Sequence, residues 1–315
     1  MDFQTKIPLN KQTQNLIDYK SNLLLLGSCF SENIGKQLDY FKFKNQQNPF
    51  GILFHPKAIE VLICRALDNE VFKDEDVFFY NELWHCYLAH SKLSKVSKTE
   101  LLQTLNHALS VLKKQLETAS HIIITLGTAW VYKHKQTNTV VANCHKLPQN
   151  NFLKNLLSVN QSGELIGRVI QKIKDVNTHV SIVFTVSPVR HIKDGFVENM
   201  QSKAHLLSAI HQHVQEGVFY FPSYEIMMDE LRDYRFYEPD MIHPNITAIH
   251  YIWSRFKASW IDHNIFDVMK DVQNIQNGLQ HRAFNPKSEA HLKFLSKLNL
   301  KIEQILAAYP HMHFK

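Results

Sequence analysis

Asn22-Leu23-Leu24-Leu25-Leu26-Gly27-Ser28-Cys29-Phe30-Ser31 is the stretch on which the reading of the fold turns. Residues 22–26 form a short apolar run that stops at a glycine, and a polar–apolar helical pattern follows over 32–40. That order spells a strand, a tight turn and a helix. Gly27 permits the turn. A residue at such a turn has its side chain pushed into the open, beside the backbone N–H groups of a helix N-terminus. The same helix end would lower a thiol pKa and favour a thiolate at Cys29. Taken alone, the segment is equally an ordinary strand–helix turn with Ser28 or Ser31 as a cap.

Working outward, two further runs match the first. Residues 121–126 are a continuous β-branched run bounded by Gly127, and 180–186 are another, closed by Ser187-Pro188. Unbroken apolar runs of this length suit strands buried on both faces of a parallel sheet. Helical patterns over 57–68, 98–119, 163–176 and 203–215 lie between the runs, and 218–221 reads as a last short strand. Residues 48–51 read as a loop, and 71–90, rich in aromatics, as a hairpin or an irregular insertion. Repeated right-handed crossovers then give an α/β fold, a mostly parallel sheet with helices on both sides. Sites in such sheets lie at the carboxyl ends of the strands, where Gly27, Gly127 and Ser187 stand. From Asn245 onward only helices are expected, over 246–256, 266–279 and 288–308. The expected division is a main domain over 1–250 and a helical extension over 251–315.

A chain of 315 residues with 44% apolar composition can bury a substantial core. Its net charge of +6 comes from scattered lysines, which argues against a nucleic-acid footprint. The first twenty residues lack the apolar centre of a signal peptide, and the early apolar run is too short to span a bilayer. The expectation is a cytoplasmic protein without a membrane partner. Its four cysteines (Cys29, Cys64, Cys86, Cys144) have no CxxC spacing, so free thiols are expected. None of the nineteen histidines stands in an HExxH pattern, and no metal or other cofactor is expected.

A second chemical segment is Asp240-Met241-Ile242-His243-Pro244. On a loop leading into a helix, both side chains reach one pocket. His243 is then a general base, with Asp240 fixing its tautomer and balancing the imidazolium charge. The bland alternative is an N-cap aspartate beside a surface histidine.

Together these segments resemble the GSCFA family, whose motif reads Gly27-Ser28-Cys29-Phe30-Ser31 here. Asn48-Pro49-Phe50-Gly51, Trp84-His85, Thr125-Leu126-Gly127-Thr128-Ala129-Trp130, Asn143-Cys144-His145-Lys146 and Ser187-Pro188-Val189-Arg190 are similar to the same family, over roughly the first 250 residues. By similarity the family belongs to the SGNH (GDSL-like) hydrolase superfamily. The resemblance implies a three-layer α/β/α sandwich and chemistry on acyl esters. It places the nucleophile two residues after the glycine, on Cys29, with Ser28 taking that role if the turn is shifted by one. Asp240 and His243 match the superfamily's DxxH. Gly51 resembles the glycine that offers an oxyanion N–H. The usual oxyanion asparagine is replaced by Ala129, which leaves Thr128, Asn143 or His145 as substitutes. Arg190, with His191 after it, suits an anionic or sugar group of a substrate, or a structural ion pair. Trp84, His85 and Trp130 are candidates for stacking on a carbohydrate.

The function expected is hydrolysis of a small acyl ester, by analogy an acetylated carbohydrate. Two alternatives stay open. One is an acyltransferase using an acyl carrier such as coenzyme A, marked by an anion pocket near Arg190 and Lys146. The other is a ligand-binding domain without turnover.

Overall fold

The structure is a computed structural model and describes residues 5–314. The chain opens with β1 (Asn22–Gly27), α1 (Cys29–Tyr40), β2 (Lys44–Gln47) and α2 (Pro56–Leu67). A hairpin of β3 (Val77–Tyr80) and β4 (Leu83–Cys86) precedes α3 (Lys98–Thr118) and β5 (His121–Leu126). Next come β6 (Trp130–His134), β7 (Val140–Val141) and β8 (Phe152–Leu156), then α4 (Val159–Val176), β9 (Ser181–Val186), α5 (Phe196–His211) and β10 (Val218–Tyr220). A helical turn, α6 (Ser223–Glu225), runs into a π-turn over Ile226–Glu230. The last helices are α7 (Ile246–Trp260), α8 (Phe266–Gln280) and α9 (Glu289–Ala308).

The central sheet has the order β10-β9-β5-β1-β2, and every neighbouring pair in it is parallel. Alternate residues of its strands feed two separate cores, because successive side chains of a strand point to opposite faces. Leu24, Leu26, Ile122, Ile124, Ile182 and Phe184 pack against α2, α3, α4 and α5. Leu23, Leu25, Ile123 and Val183 pack against α1, α7, α8 and α9. This double burial is why the runs are apolar at every position rather than at every second one. The result is the expected α/β/α arrangement with helices completing the C-terminal part. α7 runs through residue 250, and its Ile252, Trp253 and Phe256 lie in the same core as Leu23 and Leu25.

The strand order places a switch point beside β1. Its first crossover leads through α1 to β2 at one edge, and the later strands build the other way. α1 covers one face and α2 to α5 the other, so the connections part at the carboxyl end of β1, leaving a crevice.

Three differences from the sequence reading have physical reasons. β2 is polar (Lys44-Asn45-Gln46-Gln47) because it is an edge strand, and Asn45 and Gln47 bond Asp39 rather than fill a core. β6, β7 and β8 make a separate antiparallel sheet from residues without a clear apolar alternation. α5 starts seven residues before the expected 203, since Phe196, Val197 and Met200 in its first turns are exposed and break the apolar periodicity. No helix among the described residues is long and apolar enough to cross a membrane.

Candidate active site

The turn after β1 is fixed from three sides. Gly27 has φ +128°, and a Cβ there would lie 2.0 Å from Thr125 O on β5. Its N–H donates to Asn48 Oδ1 at 2.8 Å, and its carbonyl accepts from Leu53 N at 2.9 Å. Ser28 N donates to Thr125 O at 3.0 Å. Only glycine fits here, for both conformation and space.

The turn separates the two nucleophile candidates. Ser28 is fully buried and is the N-cap of α1, its Oγ accepting from Phe30 N. Ser31 Oγ donates to Leu26 O at 3.1 Å. Cys29 is the first residue of α1 and only half-buried, so its thiol is the more accessible group. Burial pushes the Cys29 thiol up, and Glu32 adds to this. The charge of Lys203 and the N–H groups of Cys29 and Phe30 oppose the rise without cancelling it. The expectation of a thiolate favoured by the helix end is therefore corrected. Desolvation wins, and Cys29 needs a base to take its proton.

Lys203 was not among the expected site residues. It is 1% exposed on α5, and its Nζ donates to Gly127 O at 2.8 Å and Ser187 O at 2.7 Å. It thereby ties together the chain leaving β5 and β9. Burial pulls its pKa down to about 7, with Cys29 opposing and Arg190 adding to the fall. A neutral amine has two N–H groups, matching the two carbonyls it faces. The available signal was its spacing from Leu206 and Ile210, which puts a lysine on the apolar stripe of a helix.

Asp240 and His243 form a pair. His243 Nδ1 donates to Asp240 Oδ2 at 2.7 Å. Asp240 Oδ1 accepts from Ile242 N at 2.8 Å and His243 N at 3.0 Å. These bonds hold the Asp240 carboxyl at about 2, with the His243 backbone N–H first, then its ring, then Ile242 N–H. The assignment of Nδ1 as donor follows from this network and leaves Nε2 as the basic nitrogen. Asn245, not Asp240, caps α7, accepting from Ala248 N at 3.1 Å. Both side chains of the pair are about half exposed. Among the described residues, no hydrogen bond joins His243 to Cys29.

The segment after β9 lies beside this pair. Arg190 N donates to Ile242 O at 3.2 Å. The ring of His191 stands edge-on to Phe54 at 5.3 Å, and its Nε2 is buried without a partner. Burial, then Lys203, then His243 hold His191 at about 3, so it is neutral.

The expected oxyanion donors fare differently. Gly51 N donates to Asn48 O at 2.7 Å within a tight turn, so the proposed Gly51 donor is already committed. Its glycine is needed where a Cβ would meet His90 Cβ at 2.4 Å. Asn48 instead carries the spare donor. Its Oδ1 must face Gly27 N–H, and its Nδ2 is buried without a partner. Thr128 Oγ1 pairs with Ser202 Oγ at 3.0 Å and accepts from Trp130 N. Asn143 Oδ1 accepts from His145 N at 2.8 Å. His145 Nε2 donates to Cys86 O at 2.7 Å, and burial holds it at about 4. Thr128, Asn143 and His145 line a cavity of about 700 Å³ with Trp130 and His191. Trp84 packs tilted against Phe79, its ring at 55° to the phenyl plane, and His85 bonds Ser94 and Tyr80; neither lines that cavity. Among the described residues, no group of three or more His, Cys, Asp or Glu side chains could hold a metal ion.

Fold and site together define a parallel α/β protein with Cys29 at the switch point of its sheet and an Asp–His turn bonded to the segment that leaves β9. The chain belongs to the GSCFA family, whose profile matches residues 22–256. The profile of the GSCFA domain protein, C-terminal domain, matches residues 272–315. None of the curated proteins compared matches the chain.

Proposed function

We propose that the chain is an SGNH-type hydrolase of acyl esters, with Cys29 as nucleophile, His243 as base and Asp240 as the group that orients it. The observation that carries this reading is the 2.7 Å Asp240–His243 bond, on a turn tied through Ile242 to the segment leaving β9. His243 Nε2 takes the thiol proton as Sγ attacks the acyl carbonyl. The carbon–oxygen bond to the alcohol then breaks, and His243 returns the proton to the leaving oxygen. Water, deprotonated by the same ring, attacks the thioester. The carbon–sulfur bond breaks and the thiolate recovers its proton, so an alcohol and a carboxylic acid are released. The Cys29 N–H and Asn48 Nδ2 are the donors available to the oxyanion. Catalytic hydrogen bonds commonly tighten when substrate binds, which suits a Cys29–His243 bond that is open in the free protein.

A second reading, transfer of the acyl group to an anionic carrier such as coenzyme A, is favoured by Lys146 and Lys193. Both line the 700 Å³ cavity and make no ion pair among the described residues.

The test is the pH dependence of Cys29 alkylation by iodoacetamide, alongside turnover of p-nitrophenyl esters. A reactive Cys29 whose profile moves to higher pH in His243→Ala, with turnover lost in Cys29→Ala, upholds the site. An unreactive thiol with no turnover leaves a binding domain. Faster loss of ester with coenzyme A present selects the transferase.

A further inference from the structure

We infer that the groove beside the Asp240–His243 turn is an acyl-chain subsite for medium-length apolar acyl groups, with Arg190 at its head. This rests on the ester reading above and names the substrate class within it.

The groove has a volume of about 600 Å³, and its apolar walls include Phe196, Met227, Met228, Leu231 and Met241. Met241 lies within the Asp240–His243 turn itself, so one wall of the groove is built by the segment that carries the base. Phe196 is 65% exposed and Met241 49%, leaving large apolar surface at the rim without cover. Methionine side chains adapt to flexible apolar ligands, and the groove has three of them.

Arg190 gives the groove polarity. It lines the groove, its Nε is buried without a partner, and it forms no ion pair among the described residues. Tyr237 shares a side-chain hydrogen bond with it. The other charges of the groove are already matched: Arg232 pairs with Asp229 at 3.0 Å and Asp233 with Arg235 at 3.1 Å. A buried guanidinium N–H with no acceptor suits a carbonyl or carboxylate oxygen. An apolar chain ending in that oxygen matches the groove at both ends. An acetyl group would leave its methionine walls empty.

The first measurement is calorimetric titration of acetate, octanoate and decanoate into the full chain, with wild type, Arg190→Gln, Met228→Trp and Phe196→Ser. Affinity should rise about fourfold per methylene while the chain fits. Decanoate binding should fall at least tenfold in Arg190→Gln and in Met228→Trp. Phe196→Ser changes an exposed side chain and keeps the test valid if the tryptophan variant does not fold; it should weaken decanoate and not acetate. The second measurement is kcat/KM for p-nitrophenyl acetate, octanoate and decanoate. The decanoate-to-acetate ratio should exceed one and fall in the groove variants. Absent decanoate binding, or an ester preference that peaks at acetate, overturns the subsite and leaves the hydrolase standing. Decanoate bound at the groove with no ester turned over upholds the subsite and overturns the hydrolase.

Discussion

Lys203 Nζ donates to Ser187 O at 2.7 Å, fastening a helix of one layer to the carboxyl end of a strand in the next. Its amine is fully buried and has a pKa near 7. The sign of the pH effect follows. In the unfolded chain the group keeps its usual value of about 10.5, so the unfolded state binds more protons between about pH 7 and 10.5. Stability from this group is lowest below pH 7 and rises as the folded amine loses its proton. Urea unfolding of wild type and Lys203→Met between pH 6 and 8.5 should show that rise only in the wild type.

Acid should act through three neutral imidazoles. His55, His145 and His191 are held at about 4, 4 and 3, chiefly by burial. His55 makes both its ring bonds inside the fold, to Ala58 N and Val141 O. The unfolded chain binds protons at these rings from about pH 6.5 downward, whereas the folded chain does not. Stability is therefore full above that value and falls toward pH 4. Each ring contributes at most about 1.4 kcal/mol per pH unit. Thermal unfolding from pH 7.5 to 4.5 should show a steep fall, and His55→Gln should flatten it.

Gly27→Ala is expected to destabilise the chain by at least about 3 kcal/mol. The added methyl would stand 2.0 Å from Thr125 O, and φ +128° is strained for any side chain. Chemical denaturation reads this directly.

The roles of Ser28 and Cys29 separate in one pair of variants. Ser28→Ala removes the cap of α1 and should cost about 1 kcal/mol of stability. Cys29→Ala should leave stability nearly intact and abolish ester turnover. The opposite pattern, turnover lost only with Ser28, would move the nucleophile by one residue.

Asp240→Asn should lower kcat for ester hydrolysis by about 10²–10⁴-fold with little change in KM, since the wrong tautomer of His243 would be favoured. Circular dichroism should match the wild type, because both side chains are about half exposed and an asparagine Oδ1 still accepts from the Ile242 and His243 N–H groups.

Much of the sheet is legible in the chain because parallel strands buried on both faces need apolar residues at every position. Residues 121–126 were read with the bounds the structure gives. β2 escaped because its lysine, asparagine and glutamines lie at an edge, where burial imposes no pattern. Asp240 and His243 were legible because three-residue spacing within one turn is a local property. Lys203, Asn48 Nδ2 and the commitment of Gly51 N–H were not, since each depends on which distant backbone group folding brings within 3 Å. The upward pull on Cys29 was hidden for the same reason: a helix end is visible in a sequence, whereas the surrounding desolvation is not.

Cys29 opens α1, and His243 stands three residues before Ile246, the first residue of α7. These helices belong to one layer and touch through Phe41 and Trp253, stacked with ring centres 5.9 Å apart. The proposed nucleophile and base are thus mounted on two beams bolted side by side, at a pair of rings ten or more residues along the chain from either. A change in the bulk of that aromatic pair should therefore shift one helix against the other and retune the proposed chemistry without altering a single group that takes part in it.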